Sequence, residues 1–264
     1  MVNVLDKVQP KNKTQLKSLI EYAFNHNIYD LNFIDTSKIT DMSNLFMNCE
    51  YDIDVSNWDV SNVINMGCTF YNCNMFTGKG LENWDVSNVK DMSDMFYYCK
   101  KFDCDLSRWN VSNVTNTAGM FYFCKNFDCD LSRWNVSNVT DTSVMFYYCY
   151  DFDSDLSDWD VSNVKDMSDM FYYCKKFDCD LSRWNVSNVT NMEYMFNGCK
   201  NFNCGLSYWD VSNVTDMDNM FVNCKKFNCD LSDWDISNIT RWKNMFAGCD
   251  KMTIPNWYKL YHKK

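Results

Sequence analysis

The stretch WDVSNVKDMSDMFYYCKKFDCDLSRWNVSNVTN spans Trp84–Asn116 and recurs, letter for letter, at Trp159–Asn191. The tryptophans explain the 75-residue interval between the copies. Trp84, Trp109, Trp134, Trp159, Trp184, Trp209 and Trp234 stand 25 residues apart; Trp58 precedes Trp84 by 26, and Ile34 takes the aromatic's place 24 before Trp58. The chain is therefore a repeat array, and its period predicts nine coils over 34–258. The duplicated block is three coils long. A solenoid accepts such an insertion because each coil touches only its neighbours, whereas a closed fold would lose long-range contacts.

Counting from the tryptophan as column zero, each coil reads Trp, Asp/Asn, Val, Ser, Asn, Val, a polar pair, Met-x-x-Met-Phe-x-x-Cys-x-x-Phe and Asp-Cys-Asp-Leu-Ser. Phe46, Phe70, Phe96, Phe121, Phe146, Phe171, Phe196, Phe221 and Phe246 fill column 12, and cysteines from Cys49 to Cys249 fill column 15. Met92, Met95, Phe96 and Cys99 lie at i, i+3, i+4 and i+7, which predicts a short helical turn with Asp91 as its cap. Trp109 and Val111 share a side, which predicts a short parallel strand, and Leu106 falls out of phase, which predicts a bend near Ser107. The expected fold is an α/β solenoid: a right-handed, leucine-rich-repeat-like array of nine coils of about 25 residues, each a short parallel strand plus a short helical turn. Coils stacked at the strand spacing of about 4.8 Å curve if their helical segments are true α-helices and stay straighter if these are single turns.

End coils of a solenoid need caps. Residues 1–33 are expected to form the N-terminal cap, with an amphipathic helix over 12–27 whose apolar stripe is Leu16, Leu19, Ile20, Ala23 and Phe24 and whose Asn12 and Gln15 resemble a capping box. Residues 259–264 read as a basic C-terminal tail.

Composition narrows the function. A net charge of -10 and 23 % charged residues describe an acidic surface, unsuited to nucleic acid or anionic membrane. No apolar run reaches the roughly 20 residues of a membrane span. The first residues lack the basic and apolar regions of a signal peptide, so an intracellular, cytoplasmic location is expected. Fifteen cysteines in such a chain favour reduced thiols.

WDVSNVTDM (Trp209–Met217), MFYYCKKF (Met95–Phe102), DLSRWNVSNVT (Asp105–Thr115) and the entry segment NIYDLNFIDTSKITDMSNLF (Asn27–Phe46) resemble the repeats of BspA-like leucine-rich-repeat surface proteins, including the Mycoplasma-type surface lipoprotein repeats. The resemblance covers residues 30–250. It implies a leucine-rich-repeat-type solenoid, adhesion or protein binding without enzyme activity and, as the alternative location, a cell or virion surface.

Several columns carry chemistry. The cysteines of column 15, with a second column at Cys104, Cys129, Cys179, Cys204 and Cys229, are expected to be a ladder of buried free thiols; inter-coil disulfides and metal binding are the alternatives. The only histidines, His26 and His262, lie outside the array. Ser-Asn pairs such as Ser112-Asn113 read as an asparagine ladder rather than glycosylation sites. Asp-x-Asp pairs such as Asp103/Asp105 and Asp153/Asp155 read as turn-capping carboxylates rather than calcium ligands. There is no nucleophile–histidine–acid set, phosphate-binding loop or metal triad, so neither enzyme activity, a cofactor nor a metal is expected.

The varying columns point to the site. Tyr97-Tyr98, Tyr122-Phe123, Tyr147-Tyr148 and Tyr172-Tyr173 form an aromatic double column over four consecutive coils, bordered by Lys100-Lys101 and Lys175-Lys176. Exposed aromatics beside cations are what interfaces use; the alternative is that one tyrosine of each pair packs between coils. The expected function is a non-enzymatic, monomeric repeat scaffold that recognises a protein or a glycan through its lateral surface. The alternative is a structural protein packing into a surface or particle layer without a separate ligand.

Overall fold

The computed structural model describes residues 7–261. It is a repeat solenoid whose coils are built from tight turns. Among the described residues the helices are α1 (Lys13–Asn25), one 3₁₀ turn (Leu81–Asn83) and α2 (Asn256–Tyr261). Neither the expected helical turn nor the expected strand forms within the coils. Parallel pairing is confined to single bridges, and from coil to coil it runs along column 7, where Asp41, Asn65, Asp91, Asn116, Asp141, Asp166, Asn191, Asp216 and Arg241 bridge in succession; at the N-terminal end Val8 bridges Ile34, in the tryptophan's column, and Asp30 bridges Asp54.

The reason is visible in one coil. From Met92 to Cys99 successive backbone N–H groups alternate in their use. Met92, Asp94, Phe96 and Tyr98 donate to Asn116, Ala118, Met120 and Tyr122 of the next coil, at 2.6–3.0 Å. Met95, Tyr97 and Cys99 donate back to Met92, Asp94 and Phe96, closing four-residue turns. An α-helix would turn all of these groups inward and leave adjacent coils unbonded. Two residues per coil, Asp94 (φ 52°) and Tyr98 (φ 60°), are left-handed, each at the third position of a turn, where a type II turn needs positive φ. Both columns are left-handed in every coil, from Asn44 and Asn48 to Asn244 and Gly248. Asp91 accepts the N–H of Ser93 at 3.0 Å, so it closes a side-chain turn instead of capping a helix.

The opposite side of the coil is joined by side chains. Each tryptophan of column zero donates its indole N–H to a carbonyl of the preceding coil, as Trp134 does to Leu106 at 3.0 Å; the acceptor is a leucine except for Trp84, which uses Val55. The N–H of that same Leu106 reaches the Cys129 sulfur at 3.1 Å. In column 15, from Cys73 onward, the thiol donates to the phenylalanine carbonyl of the preceding coil, as in Cys124 to Phe96 at 3.1 Å. Asn138 donates to the Ser112 carbonyl at 2.7 Å, and its equivalents do the same. All fifteen cysteines are free. They are polar rungs as well as spacers, which is the part of the thiol-ladder expectation that changes. Ser154 shows the equivalence: it replaces cysteine in column 20 and takes the Leu131 N–H at 2.9 Å.

Inside this frame the Phe rings of column 12 stack at 5.4–5.8 Å, each also lying 4.0–4.3 Å from the Phe of column 18 where that residue is present. Each fully buried ring contributes about 2–3 kcal/mol. For near-parallel rings in equivalent positions, centroid separation measures the local advance from coil to coil. It is 4.1–4.5 Å in the Tyr97 column, 5.4–5.8 Å in column 12 and 6.5 Å between Trp184 and Trp209. Each coil is thus a wedge, and the stack bends toward its tyrosine side.

Helix α1 closes the first coil. The Asn12 side chain accepts the Gln15 N–H at 3.0 Å while Gln15 accepts the Lys11 N–H at 2.8 Å. Leu16, Ile20 and Ala23 are buried; Leu19 and Phe24 are partly so. The helix is shorter than the expected 12–27 because Asn12 is its cap and the chain turns left-handed at Asn27 (φ 57°). At the other end α2 takes up Lys259, so the expected tail over 259–264 begins inside a helix; residues 262–264, His262 included, and residues 1–6 lie outside the described ones. Trp257 on α2 donates to Leu231 O at 2.8 Å and repeats the indole rung once more.

Candidate recognition surface

Column 13 lies on the bent-in side of the wedge. Its rings form one continuous stack: Tyr71 on Tyr97 at 4.4 Å, Tyr97 on Tyr122 at 4.1 Å, Tyr122 on Tyr147 at 4.5 Å and Tyr147 on Tyr172 at 4.4 Å, all within 6° of parallel. Removal from water, then contact between neighbouring phenols, raises the Tyr97 and Tyr147 hydroxyls well above the ordinary range and pushes Tyr172 up to about 12. They are neutral hydrogen-bonding groups at any physiological pH.

Column 14 is less regular. Tyr98 stacks on Phe123 at 4.7 Å, Phe123 meets Tyr148 edge-on at 5.2 Å, and Tyr148 lies 5.2 Å from Tyr173. All eight aromatics are half-buried. The tyrosines thus do both things weighed for them: column 13 packs coil against coil, and both columns keep an outer edge in solvent.

The lysines sit along column 14. Lys100 lies 4.5 Å over the Tyr98 ring and Lys175 lies 3.8 Å over Tyr150. Lys101 is exposed, and Lys176 pairs with Asp151 at 2.7 Å. Sequence reading missed three members. Tyr71 extends the stack by one coil but is followed by Asn72, so it does not look like part of a Tyr-Tyr pair. Lys125 lies 4.5 Å over Phe123 and 5.6 Å over Tyr150, yet Asn126 breaks the Lys-Lys pattern. Tyr150 stands where the neighbouring coils carry lysine. In each case the column was the signal and the dipeptide concealed it.

The other flank is acidic. Asp91, Asp141, Asp166 and Asp216 share column 7, each tied to the N–H two residues on. Beside them, burial and the nearby Glu193 and Asp166 carboxylates push Asp169 up to about 7. Arg241 answers the acids of the last coils, reaching Asp216 and Asp218 at 2.9 Å. The exposed Arg108, Arg133 and Arg183 stand next to the tryptophans, apart from this face. Asp153 and Asp178 accept backbone N–H groups of the next coil at 3.2 and 3.0 Å, and Asp155 and Asp180 cap serine turns. No cluster able to hold a metal ion occurs among the described residues, nor any helix long and apolar enough to cross a membrane.

With this geometry in hand, known proteins can be set beside it. The family described as "Mycoplasma protein of unknown function, DUF285" matches residues 14–116, 68–182 and 152–258. Comparison with curated proteins finds no match. A solved structure, "Crystal structure of TLR13-ssRNA13 complex", aligns over 92 % of this chain and 38 % of its own, with 13 % identity and a TM-score of 0.32.

Proposed function

The chain belongs to the DUF285 family, whose pattern it matches three times over residues 14–258, and from that premise we propose a non-enzymatic scaffold that recognises a partner protein through its aromatic face. One observation carries this. Tyr98, Phe123, Tyr148 and Tyr173 are all left-handed, at φ 59–62°. The coils on either side give the same position to Asn48, Asn72, Gly198, Asn223 and Gly248, the residue types suited to it. A bulky residue there costs roughly 1 kcal/mol. Four consecutive coils bear that cost to hold aromatic edges on the surface, and strain kept against a locally better residue marks a functional place.

The rest of the molecule fits a scaffold. Its Asp, Asn, Ser, Thr and Cys side chains are largely engaged in turns and inter-coil rungs, leaving little for catalysis. Thiols donating to carbonyls in column 15 suit a reducing compartment. Two capped ends suit a monomer.

The test is a Tyr98/Tyr148/Tyr173→Asn variant. Relief of strain and loss of ring contacts are each about 1 kcal/mol per site and oppose one another, so melting should shift little. Proteins captured by the wild type should be lost by the variant. Recovery of the same set by both would overturn the proposal, as would ordered self-association of the wild type in light scattering across a concentration series.

A further inference from the structure

We propose that the lysine ridge bordering the aromatic columns is the docking site of an acidic peptide segment lying along the solenoid. This deepens the reading of the aromatic face as a recognition surface and rests on it.

Columns 16 and 17 of the six coils from Trp84 to Trp209 hold eight lysines and one acid, Asp151, in a chain whose net charge is -10. The ridge is the reverse of the molecule that bears it. Within the described residues, ion pairs answer its charge at only two lysines, with Asp128 and Asp153 also acting on Lys176. Lys176 pairs with Asp151 at 2.7 Å and Lys225 with Asp250 at 3.1 Å; among the described residues Lys100, Lys101, Lys125, Lys175, Lys200 and Lys226 have no ion pair. The central ammonium groups are also placed. Lys100, Lys125 and Lys175 rest on the rings of Tyr98, Phe123 and Tyr150 at 3.8–5.6 Å. Contact with a ring face restrains an ammonium without neutralising it, so part of the entropy of binding an anion is already spent. Like charges one coil apart repel until an anion lies between them.

The same geometry selects the class of anion. Single-stranded nucleic acids bind such surfaces by stacking on ring faces. Here the faces of the Tyr97 column are spent on one another at 4.1–4.5 Å, and lysines cover those of Tyr98, Phe123 and Tyr150. With those faces engaged, what these rings have left for a ligand is edge and phenol hydroxyl, which suit peptide side chains and amides. The acidic column through Asp91, Asp141, Asp166 and Asp216 lies on the far flank of the tyrosines and repels a ligand charged on all sides. An extended peptide meets the condition, because residues i and i+2 put their carboxylates on one edge and leave the other free.

The probe is a short fluorescein-labelled peptide of alternating Glu and Ser, with its Gln/Ser counterpart, read by fluorescence anisotropy. The Glu peptide should bind the full chain and the Gln peptide should not, and affinity should fall about tenfold or more on raising salt from about 0.05 to 0.5 M. Lys100/Lys125/Lys175→Gln should cost about tenfold or more, whereas Lys90/Lys165→Gln, exposed in column 6, should cost nothing. Equal binding by the ridge variant, binding of the Gln peptide, tighter binding of labelled oligothymidylate or of a sulfated oligosaccharide, or no binding of the Glu peptide would each overturn the inference. Captured partners lost with the tyrosine variant but kept with the ridge variant sink the acidic peptide alone; partners kept with both sink the aromatic face as well.

Discussion

The two sides of a coil are held together by different chemistry. On the Met-Phe-Tyr side the backbone bonds coil to coil: Phe121 N to Met145 O at 2.9 Å, Phe123 N to Tyr147 O at 2.6 Å. On the Trp-Leu-Asn side the side chains do it: Trp159 to Leu131 O at 2.9 Å, Asn163 to Ser137 O at 2.7 Å. The consequence is a division of evolutionary freedom. Where main chain supplies the rungs, a side chain facing out can change without loosening the stack, and columns 13 and 14 run through Tyr, Phe, Asn, Val and Gly. Where side chains are the rungs, the letter is the bond, and Trp, Leu and Asn hardly vary.

The contrast breaks most directly by truncation on each side. Trp134→Ala removes a buried ring that is 3 % exposed and one of the two hydrogen bonds the Leu106 carbonyl accepts, the other coming from the Trp109 N–H, which predicts a loss of about 3–5 kcal/mol. Tyr147→Ala, in the middle of the tyrosine stack, removes three ring contacts, with Tyr122, Tyr172 and Tyr148, and no backbone bond, which predicts about 1–2 kcal/mol. Denaturant unfolding of both variants measures the gap. Equal losses would show that the two sides are not held differently.

A smaller effect sharpens the claim that the letter is the bond. Leu156 N–H donates to the Cys179 sulfur at 3.1 Å. Cys179→Val keeps a small apolar side chain but leaves that N–H unpaired, costing about 1–3 kcal/mol. Cys179→Ser keeps an acceptor, as Ser154 does one coil earlier at 2.9 Å, and should cost less than Val in a thermal melt. The reverse order would reduce this column to an apolar spacer.

The same division decides how much could be read from the chain. The period, the columns, the N-terminal helix with Asn12 and Gln15, and the aromatic double column were legible because each rests on the side-chain pattern. The backbone path was not. Met92, Met95, Phe96 and Cys99 face inward in a helix and in a run of tight turns alike, so apolar spacing cannot separate the two. The separating sign was in the polar letters, the Asn and Gly recurring in columns 10 and 14, but aromatics hold column 14 through the middle coils and Val144 holds column 10 at φ 51°. Trp-x-Val alternation misled for the same reason, since successive corners alternate inward and outward without pairing. The tyrosine patch was found because it breaks the repeat; the lysines were only half found because they were sought as pairs.

The smallest effect lies in column 10, on the backbone-bonded side. Asp169 is left-handed at φ 56° and its N–H donates to the Glu193 carbonyl at 2.8 Å, so its side chain is no rung. Burial, with Glu193 and Asp166 close by, pushes its carboxyl from the ordinary 3.8 to about 7. A carboxyl whose folded pKa is raised favours folding fully below the unfolded value; that contribution fades as pH rises through about 7, because only the unfolded chain ionises freely. Asp169→Asn keeps a neutral residue that accepts the left-handed backbone, as Asn219 does two coils on. It should therefore leave stability unchanged near pH 4 and raise it by about 1 kcal/mol near pH 8 in paired thermal melts. A gain of the same size at both pH values would place the cost of Asp169 in the backbone. A loss at both would make its carboxylate a rung after all, and the division between the two sides would fail at that column.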